Sequence, residues 1–288
     1  MGSTESVRRA AVLGRPVDHS LSPVLHGAAY TALGLAGWTF DRIDCGAEEL
    51  AEFVGGLGPE WAGLAVTMPG KRAALAVAAE RTPQAEAVGA ANTLVPLGDG
   101  RWRADCTDVA GLVGALSCAG GYRAAAGGAG VVVGGGGTAA AALAGLAELG
   151  VRDVSLVVRE PERAAEVLAT AERVGVFLDV RRWADTDLGK LAADAAVLVS
   201  TVPAEAAAPH AEELANAACV LDVIYHPWPT AVAEAVRRRG GHLVTGLDML
   251  LHQAFGQVEQ FTGRPAPREV MRAALWAATG GIVPLPLS

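Results

Sequence analysis

Ser20 and Ser22 stand two residues apart in the run Gly14-Arg15-Pro16-Val17-Asp18-His19-Ser20-Leu21-Ser22-Pro23-Val24-Leu25-His26, just ahead of a predicted helix. Two hydroxyls beside the N–H groups of a helix start suit a carboxylate ligand. Ser22 alone would serve equally well as the helix N-cap. Farther on, Gly63-Leu64-Ala65-Val66-Thr67-Met68-Pro69-Gly70-Lys71 ends an apolar strand on Thr67 and places a single Lys71 four residues later, in an Ala-rich stretch. By itself such a lysine fits a solvated surface group as readily as a catalyst. Asn92, in Val88-Gly89-Ala90-Ala91-Asn92-Thr93, and Asp108, in Asp105-Cys106-Thr107-Asp108-Val109-Ala110-Gly111, each fall at an expected strand end or domain junction. Ligand sites form at such places.

A second constellation is defined by spacing. Val131-Val132-Val133-Gly134-Gly135-Gly136-Gly137-Thr138-Ala139 fits G-x-G-x-x-[GA], with Gly134, Gly136 and Ala139 at the small positions. Gly134 permits a tight turn, Gly136 allows backbone to approach a pyrophosphate, and Ala139 lets the helix pack close to its strand. Because the motif follows a predicted strand and opens a predicted helix, dinucleotide binding is expected. At the end of the next strand an acid would select a ribose hydroxyl and an arginine a 2′-phosphate. The sequence there reads Val158-Arg159-Glu160, with Arg163 one turn on. Arg159 and Arg163 favour NADP, and Glu160 is the residue that opposes it.

These residues need a scaffold, and hydrophobic periodicity supplies one. Strands are expected at 10–13, 38–43 and 63–67, and helices at 23–33, 47–55 and 71–79. This alternation argues for an α/β layer with a mainly parallel sheet. Beyond Asp108, short apolar strands at 154–158, 176–180, 195–200, 218–223 and 242–244 follow the glycine motif, which is the pattern of a doubly wound nucleotide-binding domain. Segments 249–261 and 268–278 are helical in period. Arg237, Arg238 and Arg239 end a predicted helix before Gly240, where cations complement the helix dipole.

The chain of 288 residues is 51% hydrophobic with a formal net charge of −8, which suits two globular domains and disfavours a nucleic-acid partner. Four scattered cysteines without CxxC or zinc spacing indicate neither a disulfide framework nor a metal site. Cys106 is not expected to be a nucleophile, since an acid neighbours it and no His partners it. The polar stretch from Met1 to Arg9 lacks a signal-peptide core, and no apolar run reaches the roughly 18 to 20 residues that span a bilayer. A cytoplasmic protein with no membrane partner is expected.

Taken in order, these segments resemble the shikimate dehydrogenase family, and the overall look is closest to its actinobacterial members. The resemblance runs from Gly14 to about Gly263. It continues through Asp222-Val223-Ile224-Tyr225-His226-Pro227-Trp228-Pro229-Thr230 and Gly246-Leu247-Asp248-Met249-Leu250-Leu251-His252-Gln253-Ala254. It implies a substrate-binding domain over 1–107, to which 247–288 return, and an NADP-binding Rossmann domain over 108–246. The implied function is reversible NADPH-dependent reduction of 3-dehydroshikimate to shikimate, on the route to chorismate and the aromatic amino acids, by an oxidoreductase acting on a CH–OH group. Ser20 and Ser22 would bind the carboxylate, with a contact from Tyr225. Thr67, Lys71, Asn92, Asp108 and Gln253 would hold the ring hydroxyls, and Lys71 and Asp108 would be the catalytic pair. Gly134, Gly135, Gly136, Gly137, Thr138, Ala139, Arg159, Arg163, Val223 and Gly246 would hold NADP. A monomer or homodimer acting on a small molecule is implied.

The family's Asn-Arg-Thr reads Val158-Arg159-Glu160 here, and its Asn-Thr-Asp reads Cys106-Thr107-Asp108. Two alternatives follow: an NAD-dependent quinate/shikimate dehydrogenase sharing the serine pair, Lys71 and Asp108, and a non-catalytic module sensing shikimate-like ligands or nucleotide. His19, His26, His226 and His252 are assigned structural or hydrogen-bonding roles, and Trp61, Trp228 and Phe261 packing roles.

Overall fold

The computed structural model describes residues 7–123 and 128–288, so the first six residues of the polar N-terminal stretch lie outside it. The chain divides into two compact units. One comprises Met1–Thr107 with Leu251–Leu285, the other Asp108–Leu250 with Pro286–Ser288.

Strands β1 (Arg8–Gly14), β2 (Trp38–Asp44), β3 (Trp61–Val66), β4 (Glu80–Arg81), β5 (Thr93–Gly98) and β6 (Arg101–Asp105) form a six-stranded sheet in the order β2-β1-β3-β5-β6-β4. The near-continuous apolar runs of β1 and β3, buried on both faces, place these strands inside the sheet. β1 runs parallel to β2 and β3, whereas β5 and β6 form an antiparallel hairpin beside them. Its turn, Gly98-Asp99-Gly100, has three successive positive φ angles of 89°, 51° and 79°, a conformation that glycine and aspartate tolerate. The strand–helix alternation did not disclose this hairpin. Its effect is directional: the carboxyl ends of β1, β2 and β3, the start of β5 and the end of β6 all reach the same edge of the sheet.

The helix expected over 23–33 spans Ser22–Ala32, and its N-cap is Leu21. Ser22 is therefore not the cap; it lies inside the first turn, and no side chain caps this helix. The helix expected from Ala47 starts at Leu50, after a turn.

In the second unit β7 (Gly130–Val133), β8 (Asp153–Val158), β9 (Phe177–Arg182), β10 (Val197–Ser200), β11 (Cys219–Asp222) and β12 (His242–Thr245) are ordered β12-β11-β10-β7-β8-β9, and all five pairings are parallel. Counted from β7, this is the 3-2-1-4-5-6 order of the doubly wound dinucleotide fold. The helix Gly137–Glu148 buries every alanine and leucine it carries, and its Leu143 and Leu146 join Leu112 and Leu116 of the helix Asp108–Cys118 in one core. Arg237, Arg238 and Arg239 occupy the last turn of the helix Ala231–Arg239, which Gly240 closes at φ 69°.

Candidate active site

Sheet direction places the polar candidates of the first unit. Thr67 follows β3 and donates its N–H to the Leu13 carbonyl of β1 at 2.8 Å, so the ends of these two strands are tied. Lys71 opens the helix Lys71–Val77, and its carbonyl accepts the Ala91 N–H at 2.9 Å, one residue before Asn92. Ser20 and Ser22 are both buried, and their hydroxyl oxygens lie 3.3 Å apart. Ser20 Oγ also accepts the Ser22 N–H, while Arg42 Nε holds the Ser20 carbonyl at 2.8 Å. The pair is thus fixed by backbone rather than by capping.

Asn92 and Gln253 meet directly, although 161 positions separate them: Asn92 Nδ2 donates to Gln253 Oε1 at 3.0 Å. Asn92 Oδ1 accepts from Thr107 N at 2.8 Å and from Thr93 Oγ1 at 2.8 Å. Gln253 lies on the helix Gly246–Thr262, and the same helix brings Gln257 to the Asn92 carbonyl and Thr93 Oγ1, both at 3.1 Å. Thr93, Thr107 and Gln257 were not among the residues singled out from the sequence. The helical spacing of 253 and 257 puts both glutamines on one face, and that spacing was the available signal.

Asp108, 5% exposed, opens the first helix of the second unit. Tyr225 also belongs to this unit, in the loop between β11 and the helix Ala231–Arg239. Asp222 clamps that loop: one carboxylate oxygen accepts the Ile224 N–H and the other the Thr230 hydroxyl at 2.6 Å. Burial pushes the Asp222 pKa up, and these two hydrogen bonds oppose the shift. Thr230 Oγ1 also caps the following helix through Ala233 N at 3.0 Å. Thr230→Val, which keeps the shape and deletes both bonds, is expected to cost the second unit about 2 kcal/mol, with Thr230→Ser recovering most of it. Urea denaturation of the two variants checks this.

At the glycine motif, Gly134 has φ 110°, and a Cβ there would collide with Thr201 Oγ1. Gly136 is different. It caps the helix Gly137–Glu148 in an extended conformation, and among the described residues no side chain caps it and nothing lies within 4 Å of where a Cβ would stand. An uncapped helix start beside open space is the setting a pyrophosphate requires, so the residues present fit a dinucleotide. Gly135 faces Val158 Cγ1 of β8, Thr138 is in the first helical turn, and Ala139 is fully buried.

Arg159 lies just past β8, exposed. Glu160, the residue opposing a phosphate, is engaged by Arg163 at 3.1 Å. This pairing offsets its charge and commits part of Arg163. Arg182, at the end of β9, was missed from the sequence; its guanidinium donates to the Arg159 carbonyl at 3.2 Å and pairs with Glu162. On the other side of the sheet, Gly246 lies against the Val223 backbone so closely that a side chain there would overlap the carbonyl.

His26 and Phe261 are buried in the first unit, Trp61 packs beneath Arg9, and Trp228 carries Arg237 over its ring at 5.3 Å. The four cysteines are free thiols, and burial pushes Cys219 up to about 11. Among the described residues no group of three or more His, Cys, Asp or Glu is placed to hold a metal ion, and no helix is long and apolar enough to cross a membrane.

A parallel 3-2-1-4-5-6 sheet with a glycine turn after its first strand, in one chain with a second α/β unit carrying a buried amide and hydroxyl cluster, defines a two-unit dinucleotide-binding protein. Residues 12–94 match the shikimate dehydrogenase substrate binding domain, and residues 246–275 match the shikimate 5′-dehydrogenase C-terminal domain. A shikimate dehydrogenase (NADP(+)) of Methylobacterium radiotolerans is 40% identical over 266 residues, which cover 90% of this chain and 93% of that protein. The crystal structure of Mycobacterium tuberculosis shikimate dehydrogenase is 54% identical with a TM-score of 0.86, covering 94% of this chain and 99% of that one. Shikimate 5-dehydrogenase from Thermus thermophilus, in complex with NADP(H) and shikimate, is 31% identical with a TM-score of 0.77, covering 94% and 99%. The chain belongs to the shikimate dehydrogenase family.

Proposed function

We propose that the protein is an NADP-dependent shikimate dehydrogenase, with Met1–Thr107 and Leu251–Leu285 forming the substrate unit and Asp108–Leu250 the nucleotide unit. The observation that carries the proposal is the Asn92–Gln253 amide pair, set at the sheet edge that also carries Thr67 and Lys71. Amides, hydroxyls and one ammonium suit a ligand with several ring hydroxyls and no large apolar surface.

When bound, NADP supplies or accepts the hydride. The chain's residues do the rest. Ser20 donates its proton to Ser22 Oγ, and the Ser22 hydroxyl proton is then directed to a carboxylate acceptor. Thr67, Asn92, Gln253 and Asp108 hold ring hydroxyls, and Tyr225 adds a contact on the carboxylate side. As the ketone is reduced, negative charge grows on its oxygen. The Lys71 ammonium stabilises that charge and delivers the proton; in the reverse direction it receives it. Gly134 to Ala139, with Val223 and Gly246, form the backbone bed for the dinucleotide. Arg159, braced by Arg182 at its carbonyl, takes the 2′-phosphate, while Arg163 neutralises Glu160 and adds charge at the rim. The protein acts in the cytoplasm, as a monomer or homodimer.

The test follows absorbance at about 340 nm, the reduced nicotinamide band, for shikimate or quinate with NADP or NAD in all four pairings. Fast reduction with shikimate and NADP alone is expected, and Arg159→Ser should then raise the NADP KM about tenfold or more while leaving that for NAD unchanged. Equal or better rates with quinate and NAD would identify the NAD-dependent quinate/shikimate enzyme instead. Silence in all four would favour the sensing module.

A further inference from the structure

Asn92 and Gln253 do not orient themselves. An amide side chain has an acceptor end and a donor end of nearly equal shape, and which end faces outward decides what it binds. Two backbone groups that can act in only one sense fix the choice here. The Asn92 carbonyl can only accept, so the Gln257 atom 3.1 Å away is Nε2. The Thr107 N–H can only donate, so the Asn92 atom 2.8 Å away is Oδ1.

The remaining orientations follow in both directions from these anchors. Gln257 Oε1 must face His26 Nε2, at 3.4 Å, which makes that nitrogen the protonated one. His26 Nδ1 then accepts from the Tyr30 hydroxyl, also at 3.4 Å. His26 is fully buried, stacked on Phe40 with ring centroids 3.9 Å apart, and burial pushes its pKa down to about 3, so the ring is neutral. Thr93 Oγ1 accepts from Gln257 Nε2 and passes its own proton to Asn92 Oδ1. Asn92 Nδ2 therefore turns to Gln253, which must offer Oε1. Gln253 thus presents Oε1 to the cluster, which leaves Nε2 as the end that does not bond it.

We infer that Gln257, seated on His26, is a positioning residue: through Thr93 it reinforces the Asn92 orientation that the Thr107 N–H sets, and so helps to hold the Gln253 amide with Nε2 outward, where Gln253 meets a ligand hydroxyl as a donor. The inference rests on the proposed role of Asn92 and Gln253 in holding shikimate. In the parent chain each member of the relay has its partner, and removing Gln257 leaves the His26 donor unmatched and Thr93 free to turn its proton elsewhere.

A double-mutant cycle tests it by steady-state kinetics. Gln257→Met, of similar length but without hydrogen bonds, is expected to raise the shikimate KM about tenfold, with kcat within about threefold and the NADP KM unchanged. Gln253→Ala raises the shikimate KM on its own, and adding Gln257→Met to it should then change KM by less than about twofold, because the second residue acts through the first. A purely structural role would give multiplying effects, and that result overturns the inference. So does a Gln257→Met KM within about twofold of the parent while Gln253→Ala raises it. If Gln253→Ala itself leaves the shikimate KM unchanged, the substrate-site proposal falls, and the inference with it. Should Gln257→Met not fold, His26→Phe preserves the stack on Phe40 and removes the Nε2 donor. It is expected to raise the shikimate KM about threefold, and an unchanged value overturns the inference.

Discussion

Lys71→Ala is expected to lower kcat for shikimate oxidation by about 10²- to 10⁴-fold while NADP binds as before. The ammonium is the one cationic donor proposed for the developing alkoxide, and nothing else among the proposed substrate residues, which are hydroxyls, amides and a carboxylate, replaces a full positive charge. Its backbone is anchored. A Cβ at Gly70 would stand 3.0 Å from Leu50 and Val66, the Ala91 N–H pins the Lys71 carbonyl, and the helix beginning at Lys71 cannot slide without breaking that tie to the strand end. Initial rates at saturating substrate give kcat, and titration of the variant with NADP gives the affinity. A variant with the parent's turnover removes Lys71 from the mechanism, and one that also loses NADP affinity points to damage beyond the missing ammonium.

Gly134→Ala and Gly136→Ala should fail in different ways although they lie two residues apart. At Gly134 the φ of 110° already strains an L side chain, and the added methyl collides with Thr201 Oγ1 and meets Val202 Cγ1 at 3.1 Å. Thr201 cannot yield, since its N–H and its hydroxyl both bond the Val133 carbonyl, at 2.9 and 2.8 Å. Strain and overpacking together are expected to cost the second unit about 3 kcal/mol and to lower NADP affinity as the turn shifts. Gly136 has φ −92° and ψ −172°, which any residue adopts, and open space beside it. Gly136→Ala is therefore expected to melt within about 1 kcal/mol of the parent yet to bind NADP at least about tenfold more weakly, because the methyl takes the space proposed for the pyrophosphate. Thermal unfolding and cofactor titration of both variants separate the two effects. Parent-like NADP affinity in Gly136→Ala would move the pyrophosphate away from this turn.

Features that depend on neighbours in sequence are legible in the residues themselves. Gly134, Gly136 and Ala139 declare a strand-to-helix turn because their spacing is read within six residues, and Arg237 to Gly240 spell a helix end through charge and left-handed backbone. The parallel order of the second unit follows from its regular strand–helix alternation. In the first unit the same rule missed the β5–β6 hairpin, whose signal was a short Gly-Asp-Gly turn within a run of alternating strands and helices. Ser22 looked like a cap by residue type, and the backbone started its helix one residue earlier. Tertiary structure alone decided the amide relay. Gln257 reaches Asn92 across 165 positions because the sheet brings the start of β5 to the edge where β1 and β3 end, and because the C-terminal helix packs back on the same unit. It also joined Arg182 to Arg159 across adjacent parallel strands. Periodicity and capping are set by the residues a few positions away, and so the sequence records them. A hydrogen bond between distant residues has no period, and it exists only once the packed elements have fixed both of its ends.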